Sequence, residues 1–188
     1  KDANFTWEDY VTRINSELIG NYGNLLHRVI SFAQKNFPDG LHADECTIPS
    51  LQEKAGETHN RVAEALEACK FKRALKAIME LSQAGNIALN EAAPWKQLKA
   101  DRDACETTLV TFLNVCRSLS VMMTPFLPTS SQKAWEYMGQ EGRIEDYGWN
   151  SAVEGKDDFK LKPPLPLFSK LDMQEILEKE MPPEETNE

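Results

Sequence analysis

Apolar residues recur at spacings of three and four along most of the chain, which predicts helices rather than strands. Between Thr6 and Asn36 one stripe runs through Val11, Ile14, Leu18, Tyr22, Leu25, Val29 and Phe32. Thr6 and Asp9 have the shape of an N-cap, and Pro38-Asp39-Gly40 ends the pattern. A second helix is expected from Pro49 to Ala68, with Pro49 in its first turn. A third spans Phe71 to Asn90, with Phe71, Leu75, Ile78, Leu81 or Ser82, Gly85 and Leu89 on one face, and Pro94 stops it. A fourth starts near Lys99 and carries Cys105, Leu109, Phe112, Leu113, Cys116, Leu119 and Met123, until Pro125 and Pro128 interrupt it. Thr129 to Gln132 reads as a capping box opening a short helix through Tyr137, and Gly139 suits the position after its end.

The remaining chain is less periodic. Gly139 to Lys162 is polar and glycine-containing, so it reads as loop. Pro163-Pro164-Leu165-Pro166-Leu167-Phe168 is incompatible with helix and reads as an extended apolar strip laid across the bundle. Leu171 to Met181 suits a last helix, and the composition beyond Pro182 is that of disorder. No internal repeat and no useful strand-type alternation is present. The fold class expected is all-α, a helical bundle of about five helices.

Composition changes this picture little. The chain has 188 residues, 41% of them hydrophobic, enough for one full core. No apolar run approaches the roughly 20 residues that span a bilayer. Lys1-Asp2-Ala3-Asn4 does not resemble a signal peptide, and with no initiator Met the chain reads as a fragment of a longer protein. Net charge is −9, of which residues 170–188 contribute −5, so a broad nucleic-acid-binding field is excluded and any RNA contact must be local. Cys46, Cys69, Cys105 and Cys116 form no C-x-x-C pair, and His27, His42 and His59 are scattered, so zinc-type spacing is absent. The thiols are expected reduced, with Cys69, Cys105 and Cys116 as small apolar fillers on helix faces.

No phosphate-binding glycine loop, dinucleotide fingerprint, zinc-protease motif or nucleophile elbow occurs, so catalysis by this chain alone is not expected. The informative feature is a polar ridge on the first helix. Asn21, Asn24 and Arg28 lie three and four residues apart. An amide and a guanidinium suit the edge of an unstacked base, though an ordinary solvated face has the same pattern. Gly20 and Gly23 each cost about 1 kcal/mol inside a helix, which close packing or close approach of a ligand would offset. His27 follows one turn later. Trp95, directly after Pro94, sits at a bundle end, either as a plug of the core or as an open stacking face. Lys96, Lys99 and Arg102 follow it, and Lys70, Lys72, Arg73 and Lys76 open the third helix; both sets suit phosphates or plain solvent.

Taken together, these residues resemble the anticodon-binding domain of methionyl-tRNA synthetases. The stretch Asn15 to Arg28 is similar to that family's N-x-E/D-L and G-N-L-x-x-R elements. Ala93-Pro94-Trp95, Thr124-Pro125-Phe126-Leu127-Pro128 with Ala134-Trp135 and Met138-Gly139, and Pro166-Leu167-Phe168-Ser169-Lys170-Leu171 also match. The resemblance implies a helical anticodon-binding domain over residues 4–172 and a separate acidic tail over 173–188, helical and then disordered. It implies that Asn24 and Arg28 read the first anticodon base, a cytosine, that Trp95 stacks on it, and that Asn21, His27 and Lys96 support them. The implied partners are methionine tRNA and the catalytic domain of a cytoplasmic parent ligase, which would use ATP and methionine; no cofactor or metal is expected in this fragment. The HIGH-type and KMSKS-type signatures and any zinc knuckle are missing, and Leu41 to Pro49 and the tail match no motif of the family. A helical protein-interaction module without RNA recognition, or the equivalent domain of a sibling class I synthetase, are the alternatives.

Overall fold

The computed structural model describes residues 5–180. Its first rod joins α1 (Trp7–Arg13), a π-helical segment (Ile14–Gly23) and α2 (Asn24–Asn36). Then follow α3 (Pro49–Glu67), α4 (Phe71–Ala92), a short α5 (Pro94–Ala100), α6 (Arg102–Met123), α7 (Pro128–Tyr137) and α8 (Met173–Glu180). The all-α bundle is the fold that the periodicity predicts. Its five main rods are the first composite helix, α3, α4, α6 and α7, and the two short helices are additions.

The bundle is built around α6. Sixteen of its residues are buried, including every stripe position from Cys105 to Met123. A helix surrounded on all sides needs apolar or small residues on every face, and Thr108, Ser118 and Ser120 supply the small ones. It packs against α2, α3, α4, α5 and α7. The expected extended strip is present: Leu167 and Phe168 pack on the core, and the Phe168 ring lies 6.2 Å from that of Tyr22. The expected disorder past Pro182 lies outside the described residues.

Several local expectations are corrected. The first helix is not uniformly wound, because Ile14–Gly23 forms π turns, with hydrogen bonds reaching five residues back. Gly20 fits that winding: a Cβ there would sit 3.1 Å from the carbonyl oxygen of Asn15, five residues earlier. Helix α7 starts at Pro128 with no side-chain cap, so the Thr129 capping box does not form. Gln132 instead accepts from the backbone N–H of Ile144 and donates to Gly142 O, tying down the next loop. That loop carries one short strand, β2 (Asp158–Phe159), antiparallel to β1 (Leu41–His42), with Leu41 opposite Phe159. Phe71 is 55% exposed rather than a stripe residue. Cys69 is exposed, in a left-handed turn (φ 55°) that ends α3, and is no helix filler, whereas Cys105 and Cys116 are buried as expected. Gly139 does hold its left-handed turn (φ 74°), and a Cβ there would lie 2.0 Å from the carbonyl oxygen of Lys160.

Candidate nucleic-acid interface

Helix α4 runs beside the first rod, and Gly85 permits the approach. A Cβ on Gly85 would come within 2.6 Å of Leu25 Cδ2. The residue after it, Asn86, therefore reaches across to the polar ridge. Asn24 Nδ2 donates to Asn86 Oδ1 at 3.1 Å, and Arg28 Nη1 donates to the same oxygen at 3.4 Å. Arg28 Nη2 donates to Asn90 Oδ1 at 2.7 Å. Asn24 is exposed and Arg28 half-buried, so both keep a face toward solvent.

Trp95 arrives from a different element. Ala93 adopts a left-handed conformation (φ 45°) between α4 and α5, and this bend swings Pro94 inward, where it is buried. Trp95 is thereby left outside, 39% exposed, with the Arg28 guanidinium 5.8 Å from its ring centre. Asn24, Arg28 and Trp95, distant in sequence, thus share one surface. Beside them lies an open hollow with a mostly apolar lining, which includes Arg28, Ser31, Phe32, Lys35 and Trp95. One wall is the Trp95 ring, and the bordering Arg28 guanidinium, hydrogen-bonded to Asn86 and Asn90, leads on to Asn24, which lines the adjoining hollow. That suits a planar, polar-edged ligand such as an unstacked base.

The other ridge residues divide differently. Asn21 points into the bundle: its Nδ2 donates to the Met79 carbonyl at 3.0 Å, and its Oδ1 accepts from Asn86 at 3.2 Å. His27 is exposed, 3.4 Å from Ser31 Oγ, and faces a second hollow with Gly20, Gly23, Asn24 and Phe168. Gly23 gives the strip room there, since a Cβ would meet Phe168 Cδ2 at 3.0 Å. Lys96 and Lys99 are exposed next to Trp95. Arg102 is engaged structurally, donating to the Asn36 carbonyl at 2.6 Å and covering the Phe37 ring at 4.2 Å.

Sequence reasoning missed Asn86 and Asn90. Their signal was the i, i+4 repeat Ser82, Asn86, Asn90, which flanks the buried face of α4 at Gly85 and Leu89. Among the described residues, no group of three or more His, Cys, Asp or Glu side chains is placed to hold a metal ion. No helix there is long and apolar enough to cross a membrane.

A family profile described as the anticodon binding domain of methionyl tRNA ligase matches residues 38–178. The chain belongs to this family. A second profile, for class I tRNA synthetases (M), matches residues 1–30, so Asn24 and Arg28 fall under one profile and Asn86, Asn90 and Trp95 under the other. The methionine–tRNA ligase of Methanopyrus kandleri is 35% identical over 189 residues, covering 100% of this chain and 28% of its own length. That of Roseiflexus sp. (strain RS-1) is 37% identical over 163 residues, covering 84% of this chain and 27% of its own. The chain therefore spans between a quarter and a third of the curated relatives it matches. The apo methionyl-tRNA synthetase of Mycobacterium tuberculosis superposes with a TM-score of 0.82 at 27% identity, over 92% of this chain and 36% of that one. The architecture here is thus that of a methionyl-tRNA ligase anticodon-binding domain.

Proposed function

We propose that this domain reads the CAU anticodon of methionine tRNA for a methionine–tRNA ligase whose catalytic part lies outside this chain. The observation that carries the reading is the convergence of Asn24, Arg28 and Trp95, three residues from two elements, on one open surface. Trp95 offers a ring face on which the first anticodon base stacks, an interaction worth roughly 1 to 3 kcal/mol per base. Asn24 and Arg28 offer hydrogen bonds to the edge of that base, a cytosine. His27 and Lys96, both exposed nearby, meet neighbouring parts of the anticodon loop, and Asn21 holds the ridge from behind. Binding here places the far end of the tRNA at the parent's active site, where ATP and methionine form the adenylate. We further propose that the domain covers residues 4–172 of the sequence, that the acidic stretch 173–188 is separate from it in function, and that the parent works in the cytoplasm.

The test is Trp95→Ala in the full-length ligase. Charging of methionine tRNA is expected to fall at least about tenfold, from the loss of roughly 1.4 kcal/mol or more of stacking. Methionine-dependent pyrophosphate exchange, which needs no tRNA, is expected to stay unchanged. Unaltered charging would rule out the stacking role.

A further inference from the structure

The hydrogen bonds behind the ridge run in one direction. The amide nitrogen of Asn86 lies 3.0 Å from the Asn21 carbonyl, 3.2 Å from the Ser82 carbonyl and 3.2 Å from Asn21 Oδ1. Backbone carbonyls only accept, so Asn86 must turn its NH2 group toward them. The same logic fixes Asn21, whose own NH2 meets the Met79 carbonyl. The Oδ1 of Asn86 therefore faces Asn24 and Arg28. Arg28 is a pure donor and agrees with that orientation. Asn24 must then present its NH2 inward, as its 3.1 Å contact records. What remains for a ligand is Asn24 Oδ1, an acceptor, beside the donors of Arg28.

We infer that Asn86 is a positioning residue that turns the carbonyl oxygen of Asn24 outward and thereby selects cytosine over uracil. This rests on the proposed reading of the first anticodon base. Cytosine carries a donating amine at N4, where uracil carries an accepting oxygen, O4. An outward acceptor pairs with the first and opposes the second. The remaining edge of cytosine, N3 and O2, accepts, which suits the guanidinium. A free Asn amide flips at little cost and would serve either base. Here the relay from Met79 through Asn21 and Asn86 removes that freedom. Every link but the last is anchored on main chain, so the polarity of the site is set by helix backbone that no ligand can reorient.

The test compares charging efficiencies of the full-length ligase, as kcat/KM, for methionine tRNA carrying C or U at the first anticodon position. Asn86→Ala is expected to shrink the C-over-U ratio by about tenfold, the worth of one oriented base contact, with methionine-dependent pyrophosphate exchange unchanged. Asn24→Asp serves as a second variant at an exposed position that does not threaten folding. Both of its oxygens accept, so an acceptor faces outward whichever way the carboxylate turns, and the preference for C is expected to persist while the loss of the donor to Asn86 Oδ1 lowers efficiency on both tRNAs. An unchanged ratio in Asn86→Ala, or an equal loss on both tRNAs, overturns the inference. So does a collapse of the preference in Asn24→Asp to the level of Asn24→Ala. If Asn24→Ala itself leaves charging of the cognate tRNA untouched, the reading of the site fails, and that outcome is distinct from the others.

Discussion

The bundle contains two arginines laid over two tryptophans, and their surroundings differ. Arg117 sits 5.0 Å from the Trp135 ring centre deep in the fold, with Arg117 6% and Trp135 0% exposed. It donates to the carbonyls of Ser151 and Glu154, holding the loop after α7 against α6. Burial pulls its pKa below the ordinary arginine value, partly offset by the nearby Glu154. Arg28 sits 5.8 Å from a Trp95 that is 39% exposed, and its partners are the side-chain amides of Asn86 and Asn90. The chemistry of the pair is the same. Accessibility separates them: the first pair turns Arg117 Nη1 to main-chain carbonyls and its ring to the core, and the second leaves a ring face open and the exposed Asn24 beside it.

The widest separation between the two is expected in stability. Arg117→Ala strands the buried Ser151 carbonyl, frees the part-buried Glu154 carbonyl and removes packing, and is expected to destabilise the domain by about 3 kcal/mol. Arg28→Ala, at the open end, should cost under about 1 kcal/mol. Urea unfolding of both variants measures this, and equal losses would erase the distinction. Next is Gly85→Ala, where the new methyl meets Leu25 Cδ2 at 2.6 Å in a closed core. Overpacking there is expected to cost about 2 kcal/mol and to push α4 away from the ridge, so charging by the full-length ligase should fall as well. A Gly85→Ala protein that loses stability but charges normally would mean that the spacing of α4 does not matter to the site.

How far the sequence reveals these features follows from what each depends on. Helix faces depend on local periodicity, so α3, α4 and the buried stripe of α6 were legible from spacing alone, whereas the burial of Arg117, Ser118 and Ser120 on its other faces was not. The ridge was legible too, because Asn21, Asn24 and Arg28 lie on one helix. The π winding was not: the spacing of four between Ile14, Leu18 and Tyr22 also fits an α-helix, and only Gly20 hinted at crowding. Asn86 and Asn90 belong to the site through an interhelical approach that Gly85 allows, and spacing along one chain does not reveal which neighbour it faces. Likewise nothing near Trp95 or Trp135 in sequence tells which is sealed. The left-handed turn at Ala93 decides the first and the Arg117 contacts decide the second.

A smaller effect tests the open pair by function. Arg28→Lys keeps the charge but loses the planar fork that reaches Asn86 and Asn90 together. Charging by the full-length ligase is expected to fall about tenfold, or roughly 1.4 kcal/mol, with pyrophosphate exchange unchanged. Charging at the normal rate would show that the site needs only a point charge there.

The finest test uses two thiols that report on the two regions. Cys105 Sγ lies 3.3 Å from the Pro94 carbonyl, beneath the turn that carries Trp95, and Cys116 precedes Arg117 in the centre of α6. Both are buried, and desolvation raises both thiol pKa values above the ordinary range. The thiolate is the reactive form, so alkylation at neutral pH requires the site to open. In a protein with Cys46 and Cys69 changed to Ser, Cys105 needs only the short α5 to lift, whereas Cys116 needs the core to part. Cys105 is therefore expected to label several-fold faster, as local openings cost less free energy than global ones. Arg117→Ala should accelerate Cys116 and leave Cys105 nearly unchanged. Equal acceleration of both thiols would mean that the two ends open as one unit, and the Trp95 end would then have no mobility of its own with which to admit a base.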